Sequence, residues 1–232
     1  MKIQIVAVLL ILGIMTSETF SQDNYLNLLN KGGLYTGLSF NFETKNTKDK
    51  DVTVYVIKNR EDDNVNINLD QGYFIKDNFA LGALINFSYN NREGIQENTS
   101  NVLEDVHSKS IGWSIYGNMK NYLSIDKDKR FNVFNLIKLG GTIENSLTET
   151  VSNDILTRIY TESKSIELLF YPGLMARVSA GFCIEAGLEI AGFKGEWTDS
   201  KINEEAGASE SLFSADFTIN ILKVGIGFYY YY

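Results

Sequence analysis

The chain closes on Val224-Gly225-Ile226-Gly227-Phe228-Tyr229-Tyr230-Tyr231-Tyr232, and this segment constrains the fold more than any other. Val224, Ile226, Phe228, Tyr230 and Tyr232 recur at every second residue. A period of two is that of a strand, whose successive side chains point to opposite faces. A soluble sheet edged with four consecutive tyrosines invites aggregation. A barrel sitting in lipid suits this arrangement, with apolar residues facing acyl chains and aromatic rings at the membrane–water boundary.

The other end sets the expected compartment. Lys2 supplies a short positive region, and Ile3 to Met15 is apolar apart from Gln4. That length suits the core of a secretory signal and is too short to span a bilayer as a helix. Cleavage is expected between Ser21 and Gln22, with small residues at Thr19 and Ser21, although the segment departs from A-x-A and leaves the bond itself open. The expected division is signal peptide 1–21, periplasmic tail 22–32 and barrel 33–232. The tail, with Tyr25, Leu26, Leu28 and Leu29, reads equally as a short helix or a loose segment. The net charge of −8 argues against nucleic-acid binding, which needs Lys/Arg stripes. One Cys cannot form an internal disulfide.

Eight alternating segments follow. The first is Leu34, Thr36, Leu38, Phe40 and Phe42, and the second Val65, Ile67 and Leu69 running on to Ile75. The third, Phe79, Leu81, Ala83, Ile85, Phe87 and Tyr89, has the cleanest pattern of apolar outside and small or polar inside. Ile111 to Lys120, Phe131 to Glu144, Ser165 to Leu174, Phe182 to Ile190 and Leu212 to Tyr230 complete the set. The apolar parity of the last switches between Ile221 and Val224, which predicts a β-bulge near Leu222-Lys223.

Connections alternate strictly long and short. Lys76 to Asn78, Asp126 to Lys129 and roughly Ala176 to Gly181 are short, whereas Glu43 to Asp63, Asn91 to Ser108, Asn145 to Thr161 and Glu196 to Glu210 are long and polar. Short periplasmic turns and long extracellular loops mark outer-membrane barrels, and strands of 9–11 residues suffice to cross. The reading is therefore an all-β, antiparallel, up-and-down transmembrane barrel of about eight strands. Val52, Val54 and Val56 alternate inside the first long connection and are read as an extension of the first hairpin above the membrane. A ten-strand barrel is the structural alternative. Aromatic residues cluster at two depths: Tyr73, Phe74, Phe79, Tyr122, Phe131, Tyr171 and Phe182 beside the short turns, with Phe228 and the four tyrosines at the chain end, and Phe40, Phe42, Tyr89, Trp113, Trp197 and Phe217 toward the long loops. Two such rings suit membrane girdles, where a soluble sandwich would gather its aromatics in one core.

The stretch Gly72-Tyr73-Phe74-Ile75-Lys76-Asp77-Asn78-Phe79-Ala80-Leu81-Gly82 resembles the strand–turn–strand signature of small outer-membrane β-barrels of the OmpA/OmpX-like porin superfamily. The signal segment, the Gly-rich first strand and the aromatic C-terminus fit the same family, over essentially the whole mature chain. The resemblance implies insertion into the outer membrane and recognition of Phe228, Tyr230 and Tyr232 by the barrel-assembly machinery, with Tyr where the family ends on Phe. It also implies contact with outer-membrane lipid and lipopolysaccharide. It is almost silent on activity.

Inward positions carry Asp70, Lys120, Lys138, Glu167, Glu185 and Glu189, with Tyr35, Tyr116 and several Asn. An eight-stranded barrel is just wide enough for side chains to fill, and charges buried there must be paired. The expected lumen is a packed polar plug of Lys–Glu pairs. The competing reading is a narrow ion path, with Glu185 and Glu189 as a cation-selective stripe. Catalysis finds little support. His107, the sole histidine, points away from Ser108 and Ser110 on a strand, so a base within reach of a nucleophile is not offered locally. A lipid-modifying enzyme is the remote alternative. No cofactor or metal is expected: the acidic groups Glu61-Asp62-Asp63, Glu104-Asp105 and Glu204-Glu205 lack EF-hand spacing. The favoured role is a monomeric structural or surface-binding barrel, its long loops offering a place for an extracellular ligand or serving nothing beyond membrane integrity.

Overall fold

The computed structural model describes residues 28–52, 55–98, 102–127, 129–203, 205–217 and 224–232. Ten strands are present among them: β1 (Leu34–Val52), β2 (Tyr55–Lys76), β3 (Phe79–Asn98), β4 (Leu103–Ser124), β5 (Phe131–Ser152), β6 (Ile155–Arg177), β7 (Phe182–Leu188), β8 (Ala191–Ile202), β9 (Glu205–Phe217) and β10 (Val224–Tyr231). All pair antiparallel with their neighbours. β1 to β7 pair in sequence, β7 pairs β10, and β10 returns to β1. That circuit closes a barrel of eight strands. The count of about eight is therefore met by the wall, and the two further strands, β8 and β9, continue β7 and β10 beyond a break.

The break is a β-bulge. Gly173 of β6 faces Gly187, whereas Phe170 faces Ala191, so three steps along β6 match four along β7–β8. The chain's one proline, Pro172, sits on β6 between those two registers. Its missing N–H costs nothing where the neighbouring ladder is already interrupted. The bulge predicted at Leu222-Lys223 lies outside the described residues. The parity change it was meant to explain is real: exposed Phe213 stands opposite Gly195 in β9, and exposed Ile226 opposite Ala186 in β10.

The long connections differ from expectation. They are not loops but continued ladders, with pairing carried out to Val52↔Tyr55, Glu97↔Leu103, Ser152↔Ile155 and Ile202↔Glu205. β1 to β6 run 19 to 23 residues, about twice the 9–11 needed to cross. The sequence loses its apolar face there but keeps Thr, Val and alternating charge, which a two-stranded ladder accepts. The hairpin extension read from Val52 and Val56 is present, with Asp51 opposite Val56; Val54 lies outside the described residues. The β5–β6 tip is a two-residue turn with Asn153 and Asp154 both at positive φ (48° and 64°), the geometry that matches strand twist.

The described part of the tail is neither helical nor loose. Asn78 N–H donates to the Leu29 carbonyl at 2.6 Å, Gly32 N–H to that of Phe74 at 2.8 Å, and Lys31 N–H to the Asp77 carboxylate at 2.9 Å. Leu29 is buried against the aromatic core at the turn-side mouth.

Candidate functional site: lipid face, plug and cavity

β4 shows how the sequence builds the wall. Ile111, Trp113, Ile115, Met119 and Leu123 are exposed, while Ser114, Tyr116, Asn118, Lys120 and Tyr122 between them are buried. One outward row crosses the sheet as Leu38, Leu69, Ile85, Ile115, Gly141, Ile166, Gly195 and Phe213. A second, toward the hairpins, holds Phe40, Ile67, Phe87, Trp113, Ile143, Lys164 and Trp197, with the Phe87 and Trp113 rings 4.8 Å apart. On the turn side Tyr73, Phe131, Phe228 and Tyr230 are exposed, and Phe182 stacks on Phe228 at 6.1 Å. A belt this apolar, between aromatic rows, is the wall of a molecule bathed in hydrocarbon.

The turn-side aromatic ring contains fewer residues than the sequence suggested. Phe74 and Tyr122 are inside, at 0% and 3% exposure, and Tyr171 lines the lumen. Of the four terminal tyrosines, Tyr229 and Tyr231 are buried. Adjacent strand residues face opposite ways, so Tyr73 and Phe74 cannot both reach lipid.

Inside, these rings surround a charge cluster. Lys120 Nζ lies 2.9 Å from Asp70 Oδ2 and 3.0 Å from Glu185 Oε2, and all three are buried. The ammonium also sits 4.0 Å over the Tyr229 ring and 4.6 Å over that of Tyr35. Asn118 Nδ2 donates to Asp70 Oδ1 at 2.7 Å, and Tyr122 and Tyr231 hydroxyls donate to Glu185 Oε1. A buried charge is tolerated when its lone pairs and protons are all engaged. Glycines admit the rings: a Cβ on Gly37 would stand 2.1 Å from Tyr229, and one on Gly72 2.3 Å from Tyr35.

Beyond the plug the lumen is not filled. A cavity of about 550 Å³ runs from Tyr229 and Glu185 toward Glu43 and Asn64 on the hairpin side. The expectation of a packed lumen holds for the turn-side half only. A polar ladder lines one wall of the cavity. Asn86 Nδ2 donates to Asn68 Oδ1 at 2.9 Å, Asn68 Nδ2 to Ser39 Oγ at 3.0 Å, and Ser114 Oγ to Asn86 Oδ1 at 3.5 Å. The network runs on through Thr142, which donates to Ser114 Oγ at 2.8 Å and lies 3.2 Å from the Tyr116 hydroxyl, to Glu167, where Tyr116 and Ser165 hydroxyls donate at 2.8 and 2.7 Å with Lys194 Nζ at 3.8 Å. Lys138 Nζ stands 4.0 Å over the Tyr171 ring, and the Tyr171 hydroxyl donates to Glu189. Asp70, Lys120 and Glu185 thus form one group, while Lys138, Glu167 and Glu189 belong to the cavity. The inward asparagines expected from the parity of β2 and β3 are here, Asn68 and Asn86 among them; sequence reasoning missed Tyr171 and Lys194 as lumen residues, and the bulge hid Lys194.

His107 stands opposite Glu93 and Glu149 on the outward face of β4. Ser108 faces the other way and shares a hydrogen bond of 2.9 Å with Thr148. The nucleophile and base are not brought together here. Cys183 is buried in the plug. No metal-binding cluster occurs among the described residues, and Asp62 of the first acidic run pairs with Arg60 and Arg92. Ser21 and Gln22 lie outside the described residues.

A closed sheet that is apolar outside and ion-paired within defines a transmembrane β-barrel of the outer-membrane type. No family model matches the chain, and no curated protein does. Among solved structures it is similar to Ail, the attachment invasion locus protein of Yersinia pestis, at 12% identity over 87% of this chain and 99% of that one (TM-score 0.35). It is similar to Neisserial surface protein A at 14% identity over 85% and 98% (TM-score 0.31). It is also similar to an outer membrane channel from Pseudomonas putida F1 at 7% identity over 93% and 100% (TM-score 0.25). Likenesses of this size lend the chain no role, and its class rests on its own wall and interior.

Proposed function

We propose that this protein is an integral outer-membrane barrel that holds a surface of paired β-hairpins outside the lipid, with its lumen closed on the turn side. The observation that carries the reading is the length of the ladders: β4, with 22 residues, is about 70 Å long at ~3.3 Å per residue, far more than a bilayer needs. Ladders hold their tips in fixed relation where free loops would not. Exposed Ile155, Leu156, Tyr160 and Ile202 crowd the tips of two adjacent hairpins, an apolar patch suited to a partner. The extracellular ligand, lipopolysaccharide contact and recognition of Phe228, Tyr230 and Tyr232 during assembly belong to this proposal, as does export through cleavage at Ser21.

Two measurements test it. Fractionation, with boiled and unboiled gel samples, should place a heat-modifiable band in the outer membrane; recovery without detergent would overturn the barrel. The pair Ile155→Ser and Leu156→Ser should weaken adhesion of expressing cells to their target surface, and unchanged adhesion would remove the recognition role. A narrow channel is the second reading, favoured by the cavity alone. The Lys120 cluster blocks it, so planar bilayers should show no steady open level; a steady level that shifts in Glu185→Gln would establish the channel.

A further inference from the structure

Among the described residues, Lys138 and Glu189 in the cavity have no ionic partner, and one tyrosine stands between them. Lys138 makes no ion pair among the described residues; its ammonium rests 4.0 Å over the face of Tyr171. Glu189, at the bulge, accepts from the hydroxyl of the same ring and pairs with no cation among the described residues. The ring face thus carries a positive charge and the ring edge a negative one. By contrast, Lys120 is matched by Asp70 and Glu185, and Glu167 by Lys194. Lys138 is half-buried, where a charge without its counter-ion is costly, whereas Glu189 is an exposed residue of the cavity lining. A simple anion would answer Lys138 and repel Glu189, and a simple cation the reverse.

Room beside them is left by glycines that packing does not demand. Gly173, Gly187 and Gly225 form one inward row across β6, β7 and β10. A Cβ on Gly173 would strike Phe134 at 2.2 Å, so that glycine serves the plug. A Cβ on Gly187 would meet its nearest atom at 3.5 Å and one on Gly225 at 4.0 Å, both ordinary contacts. Glycine within a strand costs about 0.5–1 kcal/mol relative to alanine and recurs where a ligand approaches closely. The resulting space of about 550 Å³ falls within the range of small-molecule sites. Its far wall offers amides that both donate and accept, from Asn68 and Asn86.

We propose that the cavity binds a small zwitterion of amino-acid or dipeptide size, its carboxylate on Lys138, its ammonium on Glu189 and its polar remainder on the Asn68–Asn86 wall. The proposal stands on the cavity of the folded barrel and is independent of what the hairpins recognise.

Calorimetry on the full chain refolded in micelles tests it, with L-glutamine as probe. Saturable binding in the millimolar range is expected, and both N-acetyl-L-glutamine, which lacks the ammonium, and L-glutamine methyl ester, which lacks the carboxylate, should bind at least about tenfold more weakly. Lys138→Met and Glu189→Gln should each weaken L-glutamine by about tenfold, and Gly225→Leu, which fills the space without touching either charge, should abolish binding while the heat-modifiable gel band is retained. Absence of saturation at tens of millimolar overturns the proposal, as does equal binding of either derivative. Should a charge variant fail to fold, the derivative series on the unaltered protein decides. Loss of the heat-modifiable band in the unaltered protein would instead refute the barrel itself.

Discussion

Replacing Lys120 by Met tests the plug directly. The cation is shared between Asp70 at 2.9 Å and Glu185 at 3.0 Å, all three buried. At an effective dielectric of ~20 each contact is worth a gross attraction of about 5.5 kcal/mol. Much of that offsets the desolvation of three charges, and removing one partner of a buried pair costs a net ~3–5 kcal/mol because the stranded carboxylate remains. Lys120→Met strands two, so the expected loss is at least about 3–5 kcal/mol, roughly 10²–10⁴ in the folding equilibrium. Urea unfolding in lipid vesicles, followed by fluorescence of exposed Trp113 and Trp197 and by gel mobility, reads this. The triple variant Lys120→Met, Asp70→Asn, Glu185→Gln carries no charge, and an uncharged replacement of a buried ionic group is close to neutral; it should recover most of the loss. Lys120→Met within about 1 kcal/mol of wild type would show that the cluster is solvated and that the plug does not seal the lumen.

Other outcomes follow from individual contacts. Gly173→Ala forces a Cβ to 2.2 Å from Phe134 and 2.5 Å from the Ala186 carbonyl, and should cost about 1–3 kcal/mol in the same titration. Gly117→Ala, whose nearest neighbour would be at 3.8 Å, should be silent; equal effects would refute the packing argument. The Asp126 carboxylate accepts N–H bonds from Phe131 at 2.8 Å and Arg130 at 3.0 Å, and the first of these above all holds it below the usual carboxylate range. A lowered folded value means that its contribution is present above the unfolded pKa of ~3.9 and is lost as pH falls through the folded one. A carboxyl NMR titration should place the midpoint below the ordinary aspartate value, and a midpoint above it would show the turn to be open. Leu29→Asp should loosen the turn-side mouth by about 2 kcal/mol, and unchanged stability would mean that the tail merely rests there.

The wall was legible because its signal is local. Ile111 to Lys120 alternates without a fault, and each residue falls on the face its parity assigns. Asp70, Lys120 and Glu185 were readable as inward on the same ground, but not as neighbours: they come from β2, β4 and β7, brought together only by closure. The bulge at Glu189 escaped notice since alternation continues through Ile190 and changes phase only at Phe193. The girdle was overcounted because aromatic character marks depth and says nothing of face, as Phe74 and Tyr122 show. Hairpins such as Lys45 to Arg60 looked like loops because pairing of polar backbone leaves no hydrophobic trace, although every register partner from Lys45↔Asp62 to Thr47↔Arg60 is a ladder pair. The cavity is made of missing side chains, Gly187 and Gly225 among them, and an absence has no period.

Leu34 N–H donates to the Tyr232 carbonyl and Tyr232 N–H to that of Leu34, so the first strand is zipped to the last residues of the chain. Tying ends roughly 200 residues apart carries an entropy cost of about 4.7 kcal/mol before any bond repays it. Until that contact forms, the nascent ribbon shows bare hydrogen-bonding rims on both sides and an oily flank. Such a species would stick to its siblings unless escorted, and removing the four terminal tyrosines would strip three of the six register pairs that join the first strand to the last.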